Sequence, residues 1–140
     1  MSELLAMQDV SKERLIQLLK AAYLPVETDK DGDIVIRDSG VNTFILIDSD
    51  KKLLNFISIW GFKPRSNETA RLKFANKLND DLILVRFCVT NTSSPKLYCD
   101  YQLSYQDGIA PHQIIQTYRT FQRVCAGAGR QDVDNLLDSD

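Results

Sequence analysis

The sequence predicts an α+β domain, an antiparallel sheet of about five strands with helices packed on it, in the order α-β-β-β-α-β-β-α. Two observations lead there. Apolar residues recur at three- and four-residue spacing in three separate stretches, and the segments between them are short runs rich in β-branched and aromatic residues. The connectors between consecutive runs are too short for a crossover helix, so neighbouring strands pair antiparallel. A chain of 140 residues fits one domain and buries roughly two-thirds of the surface it would expose unfolded, enough for a core without disulfides or metal.

Ser11 is placed to cap the first helix, since its hydroxyl can accept from an orphan amide of the first turn. Leu15, Leu18, Leu19 and Ala22 form the apolar stripe that follows. Pro25 supplies no amide and turns Leu24 away from helical angles, so this helix ends by about Tyr23. Then come "DIVIR", "NTFILID" and "LLNFISIWGF", separated by the turn-rich "RDSG" and "DSDKK" and preceded by "DKDGD". On the third of these strands Leu54, Phe56, Ser58, Trp60 and Phe62 share one face, and Leu53, Asn55, Ile57 and Ile59 the other. Both faces are apolar, which suggests cover on both sides.

"SNETARLKFANKLN" reads as the second helix, capped by Ser66 or Asn67 and closed by Asn79 in a left-handed conformation. Ala70, Phe74 and Leu78 form its stripe. "DLILVRFCVT" and "KLYCDYQLSY" are a strand pair joined by the polar "NTSSP". Pro111 opens the last helix, whose stripe is Ile114, Tyr118, Phe121 and Cys125 and which the glycines of "CAGAGR" stop. Residues 1–125 thus form one domain, and 126–140 an acidic tail, mobile or loosely docked.

The totals narrow the function. A net charge of -2 gives no general attraction for nucleic acid or anionic lipid, and no run approaches the roughly 20 apolar residues that cross a bilayer. The opening "MSELLAMQDVSKERL" carries acids where a secretory signal carries bases, which predicts a cytoplasmic location. Cys88, Cys99 and Cys125 are odd in number and lack CxxC spacing, so reduced thiols are expected rather than disulfides or zinc.

"ETDKDGDIVIRD" puts Glu27, Asp29, Asp31, Gly32, Asp33 and Asp38 at positions 1, 3, 5, 6, 7 and 12 of a calcium-loop frame. The frame needs helices on both sides, but Pro25 stands before it and a strand follows, so a turn is expected, with Asp29 and Asp31 accepting local backbone bonds. A metal sensor or small enzyme built on Asp29, Asp31 and Asp33 is the alternative. His112, the single histidine, has no nucleophile or metal partner that local sequence identifies. No phosphate-cradling glycine pattern occurs, and no cofactor is expected.

The element order, with the phrases "ETDKDGDIVIRD", "ARLKFANKLND" and "LSYQDGIAPHQIIQTY", resembles a YbjN-type domain across about residues 10 to 125. That group is labelled as bacterial sensory transduction regulators, and its fold is similar to that of type III secretion chaperones. Ala110 stands where the group would have a capping Ser or Thr. The resemblance implies a small cytoplasmic homodimer that binds other polypeptides, as a chaperone or as a regulator of another regulator, without chemistry of its own. Within the chain, Trp60, Phe62 and Phe74 have the composition of an interface centre. Lys73 and Lys77 share a helix face beside them and could dock an acidic segment, either a partner's or the acids Asp132, Asp134, Asp138 and Asp140. These five residues, Trp60, Phe62, Phe74, Lys73 and Lys77, are the candidate dimer or client surface.

Overall fold

The computed structural model describes residues 4–138. A short 3₁₀ turn, Met7–Asp9, precedes helix α1 (Lys12–Ala21); strands β1 (Val26–Thr28), β2 (Ile34–Asp38), β3 (Val41–Asp48) and β4 (Leu53–Gly61) follow. Helix α2 (Glu68–Asp81), strands β5 (Arg86–Val89) and β6 (Lys96–Ser104) and helix α3 (Pro111–Arg130) complete the chain. All six strands lie in one antiparallel sheet of order β1-β2-β3-β4-β6-β5.

The local signals act as their chemistry dictates. The Ser11 hydroxyl accepts from the Arg14 amide at 3.1 Å, and Asn67 from Ala70 at 2.8 Å, each filling one orphan donor of a first turn. α1 stops two residues before Tyr23, which adopts a left-handed φ of 62° ahead of Pro25.

Four elements differ from the sequence reading. The sheet has six strands rather than about five, because Val26–Thr28 pairs with β2 across the acidic turn; three residues are too few to show a period. Asn79 does not end α2, which runs on to Asp81; its amide is used on a strand instead, as described below. Only Arg86–Val89 of "DLILVRFCVT" is strand, and Ile83 and Leu84 are exposed in the connector. Finally α3 passes through "CAGAGR" to Arg130, so the boundary at 125 falls inside a helix. Gly129 serves close approach, since a Cβ there would stand 3.3 Å from the Trp60 ring, whereas one on Gly127 would make only ordinary contact with the Leu82 side chain at 3.7 Å. The segment after α3 docks on the sheet through Leu137, which is buried.

The register sorts the sheet into two unlike faces. Ile34, Ile36, Val41, Thr43 and Ile45 lie on the same side as Leu54, Phe56 and Ser58 of β4, with Leu97, Cys99 and Leu103 of β6 and Phe87 of β5. All but the polar Thr43 and Ser58 join one hydrophobic cluster with Leu15 and Leu19 of α1, Phe74, Ala75 and Leu78 of α2, and Ile114, Tyr118, Phe121 and Cys125 of α3. Phe56 and Phe121 meet with ring centroids 6.1 Å apart. Both faces of β4 are apolar, yet the helix-side core lies against one of them only.

Candidate functional site

The opposite face of the sheet carries Val35 of β2, Phe44 and Leu46 of β3, Ile57 and Ile59 of β4, and Tyr98 of β6. None belongs to the helix-side core. Val35 and Ile57 are buried, Phe44, Leu46 and Tyr98 half-buried, and Ile59 is 50% exposed. Strand pairing alone makes this surface, because period-two alternation hands every second residue of each strand to it. Four of its charges form two pairs. Arg86 holds Asp100 through two bonds, Nε to Oδ1 at 2.9 Å and Nη2 to Oδ2 at 2.7 Å, and Arg37 Nε stands 3.3 Å from Glu27. The Arg86 guanidinium is held above its ordinary range, first by the hydrogen bond to Asp100 and then by its charge. Burial, and then Asp100, push the Tyr98 phenol up. Asn55 brings a buried Oδ1 with no protein donor.

The candidate surface expected from the sequence, Trp60, Phe62, Phe74, Lys73 and Lys77, lies on a different part of the fold. Its five candidate residues sit at the helix side, where β4 runs out. β3 pairs with β4 only as far as Phe44 with Ile57, so the last residues of β4 lose that neighbour. The C-terminal segment takes the place: Phe62 bridges Leu137 antiparallel, the Lys63 amide donates to the Leu136 carbonyl at 2.8 Å, and the Asp138 amide to the Gly61 carbonyl at 2.8 Å. The Asp132 carboxylate accepts from the Leu136 and Leu137 amides at 2.7 and 2.8 Å and so closes the loop on itself.

Trp60 and Phe62 are therefore half-buried against the core, and the Arg71 guanidinium stands 5.9 Å from the Phe62 ring centroid. Trp60 lines a cleft of about 200 Å³ with Gly129, Asp132, Asn135, Leu137 and Asp138, and its indole N–H is buried without an acceptor among the described residues. Phe74 belongs to the core. Lys73 and Lys77 are exposed and form one wall of a groove of about 360 Å³, floored by Ala70, Phe74 and Leu136 and faced by Asp132, Val133 and Asp134. The structure thus brings Trp60 and Phe62 together beneath the chain's own C-terminal segment and sets the lysines beside its acids. Asp140 lies outside the described residues.

The acidic loop is a turn between β1 and β2. Asp29 Oδ1 accepts from the amides of Asp31 and Asp33, each at 2.9 Å, and Gly32 takes a φ of +82°. His112 is exposed in the first turn of α3. Cys99 and Cys125 are buried and Cys88 is exposed; a hydrogen bond to Cys125 and then burial push the Cys99 thiol well up, which keeps it un-ionised and unreactive. No described helix is long and apolar enough to cross a membrane.

A family model described as "Putative bacterial sensory transduction regulator", YbjN, matches residues 11–131. Among solved structures, the chain is similar to one described as "Crystal structure of YbjN, a putative transcription regulator from E. coli". The TM-score is 0.79 at 17% identity, over 97% of this chain and 99% of that one. It is also similar to a chain in the "Structure of the HopA1-SchA Chaperone-Effector Complex", with a TM-score of 0.57 at 10% identity over 83% of this chain and 90% of the other. These likenesses are of fold. No curated protein matches the sequence.

Proposed function

The chain belongs to the YbjN family, and from that premise we propose that it is a non-enzymatic protein-binding module that engages another polypeptide as a cytoplasmic homodimer. The observation that carries the reading is the sheet face bearing Phe44, Leu46, Ile57, Ile59 and Tyr98, which no helix-side core residue meets. An apolar surface on several neighbouring strands marks an interaction site. It is built from strand faces rather than a cleft, and two of its cations, Arg37 and Arg86, are paired with carboxylates, which suits a polypeptide better than a small molecule or a nucleic acid. One fold neighbour being a chaperone held with its effector supports a client of that kind. A client polypeptide on the sheet face, and a second surface around Trp60, Phe62, Phe74, Lys73 and Lys77, complete the reading.

Affinity capture with the wild type and with Phe44→Arg plus Ile59→Glu tests it. The same polypeptide should co-purify with the wild type and be lost from the double variant while the variant stays folded. Sedimentation of the purified protein at micromolar concentration should give twice the subunit mass, and a strict monomer removes the homodimer.

A further inference from the structure

The C-terminal segment behaves as a bound ligand of its own domain. Residues 131–138, "QDVDNLLD", leave α3, fold over the Asp132 carboxylate, and lay Leu136 and Leu137 against the end of β4. The contact is small: one bridge, two flanking backbone bonds, and one buried leucine. Leu137 belongs to the helix-side cluster; burying it contributes about 1.5–3 kcal/mol, small enough for the segment to open locally.

What the slot accepts is visible in what fills it. Gly61 and Lys63 offer a carbonyl and an amide to an antiparallel strand, and Lys73 and Lys77 line the groove opposite Asp132 and Asp134. Lys96 Nζ and the Asp138 side chain both come within 4 Å of the position a Cβ on Gly61 would take, at 3.9 and 3.4 Å. Trp60 lines the cleft next to this segment, and its buried indole N–H finds no acceptor among the described residues. An apolar slot, a strand edge and the paired lysines Lys73 and Lys77 together recognise an extended acidic peptide with paired leucines.

We propose that the C-terminal segment is an autoinhibitory stand-in for such a peptide on a partner protein, which binds by displacing residues 131–138 and adding its own strand to the end of β4. This deepens the protein-binding reading by giving one surface a partner chemistry. Because the segment is tethered, its effective concentration is of millimolar order, and an external peptide competes only above that level or once the tether is weakened.

Trp60 is the single tryptophan of the chain, so its emission reads the slot directly. The probe is the synthetic peptide QDVDNLLD, titrated into wild type, Leu137→Ala and Asp132→Ala at low and high salt. Asp132→Ala removes only the loop closure and serves if Leu137→Ala fails to fold. The variants should show red-shifted Trp60 emission that the peptide reverses, with at least about tenfold tighter binding than to wild type. Salt should weaken the binding, and replacing both peptide leucines with serine should abolish it. Variants that do not bind the peptide, or bind it no more tightly than wild type, overturn the proposal. So does a stable dimer of Asp132→Ala with wild-type emission, which would mean exchange of the segment between copies. Ile59→Glu should leave peptide binding unchanged, which separates failure here from failure of the sheet-face reading.

Discussion

The Asn79 side chain closes one edge of the sheet: its Nδ2 donates to the Phe87 carbonyl at 2.8 Å, and its Oδ1 accepts from the Phe87 amide at 2.9 Å. A side-chain amide reproduces the donor and acceptor pattern of a strand, so α2 occupies the position where another chain could pair with β5. Asn79→Ala should cost about 1–3 kcal/mol through the two unpaired backbone groups, read from the denaturant midpoint. It should also raise self-association in sedimentation. Unchanged stability would mean that water replaces the amide without loss.

Asp100 is held on the sheet face away from the helices by Arg86, with side-chain exposures of 7% and 69%. Arg86→Ala leaves a carboxylate unpaired in a shielded position. It is expected to cost about 1–2 kcal/mol, less than a fully buried pair because the guanidinium is largely solvated. Asp100→Asn added to that background should recover part of the loss. A double variant no more stable than Arg86→Ala would contradict the account.

The Tyr118 phenol is pushed up to about 12, first by burial and then by Asp38. The folded state therefore keeps its proton where the unfolded state has lost it, and the associated stability is present below about pH 10 and disappears toward about pH 12. Thermal melts across that range should lose up to about 2–3 kcal/mol from this group. Tyr118→Phe removes a buried hydroxyl that has no protein partner. It should be at least as stable as wild type at pH 7 and should flatten the alkaline loss; an unchanged alkaline slope would assign that slope to other groups.

The Asp29 carboxylate is committed to two backbone amides of the turn. Asp29→Ala should lower stability by about 0.5–1.5 kcal/mol, while millimolar calcium should leave the wild-type melting temperature where it was. A rise with calcium that vanishes in Asp29→Asn with Asp31→Asn would restore the metal-binding alternative.

Much of the fold is legible in the sequence because its signals are local. Ser11, Asn67, Pro25 and Pro111 mark helix ends through backbone chemistry that needs no tertiary partner. The errors arise where a tertiary partner decides. Asn79 looks like a helix terminator until Phe87 claims its amide, and Gly129 looks like a helix breaker until the Trp60 ring needs the space. Apolar residues on both faces of β4 suggest cover on both sides, and only the register shows that the helix-side core meets one of them and leaves Ile57 and Ile59 on the other. The link between the acidic tail and Lys73 and Lys77 was visible as charge; the bridge from Phe62 to Leu137 was not.

The sheet face turned away from the helix-side core, as a polypeptide-binding surface, is tested most directly by cross-linking in the cell from a photoreactive residue at Ile59, compared with one at Tyr23, which is 95% exposed. The account predicts a discrete polypeptide adduct above the 15.9 kDa subunit from position 59 and none from position 23. No adduct at 59, or equal adducts from both positions, would contradict it.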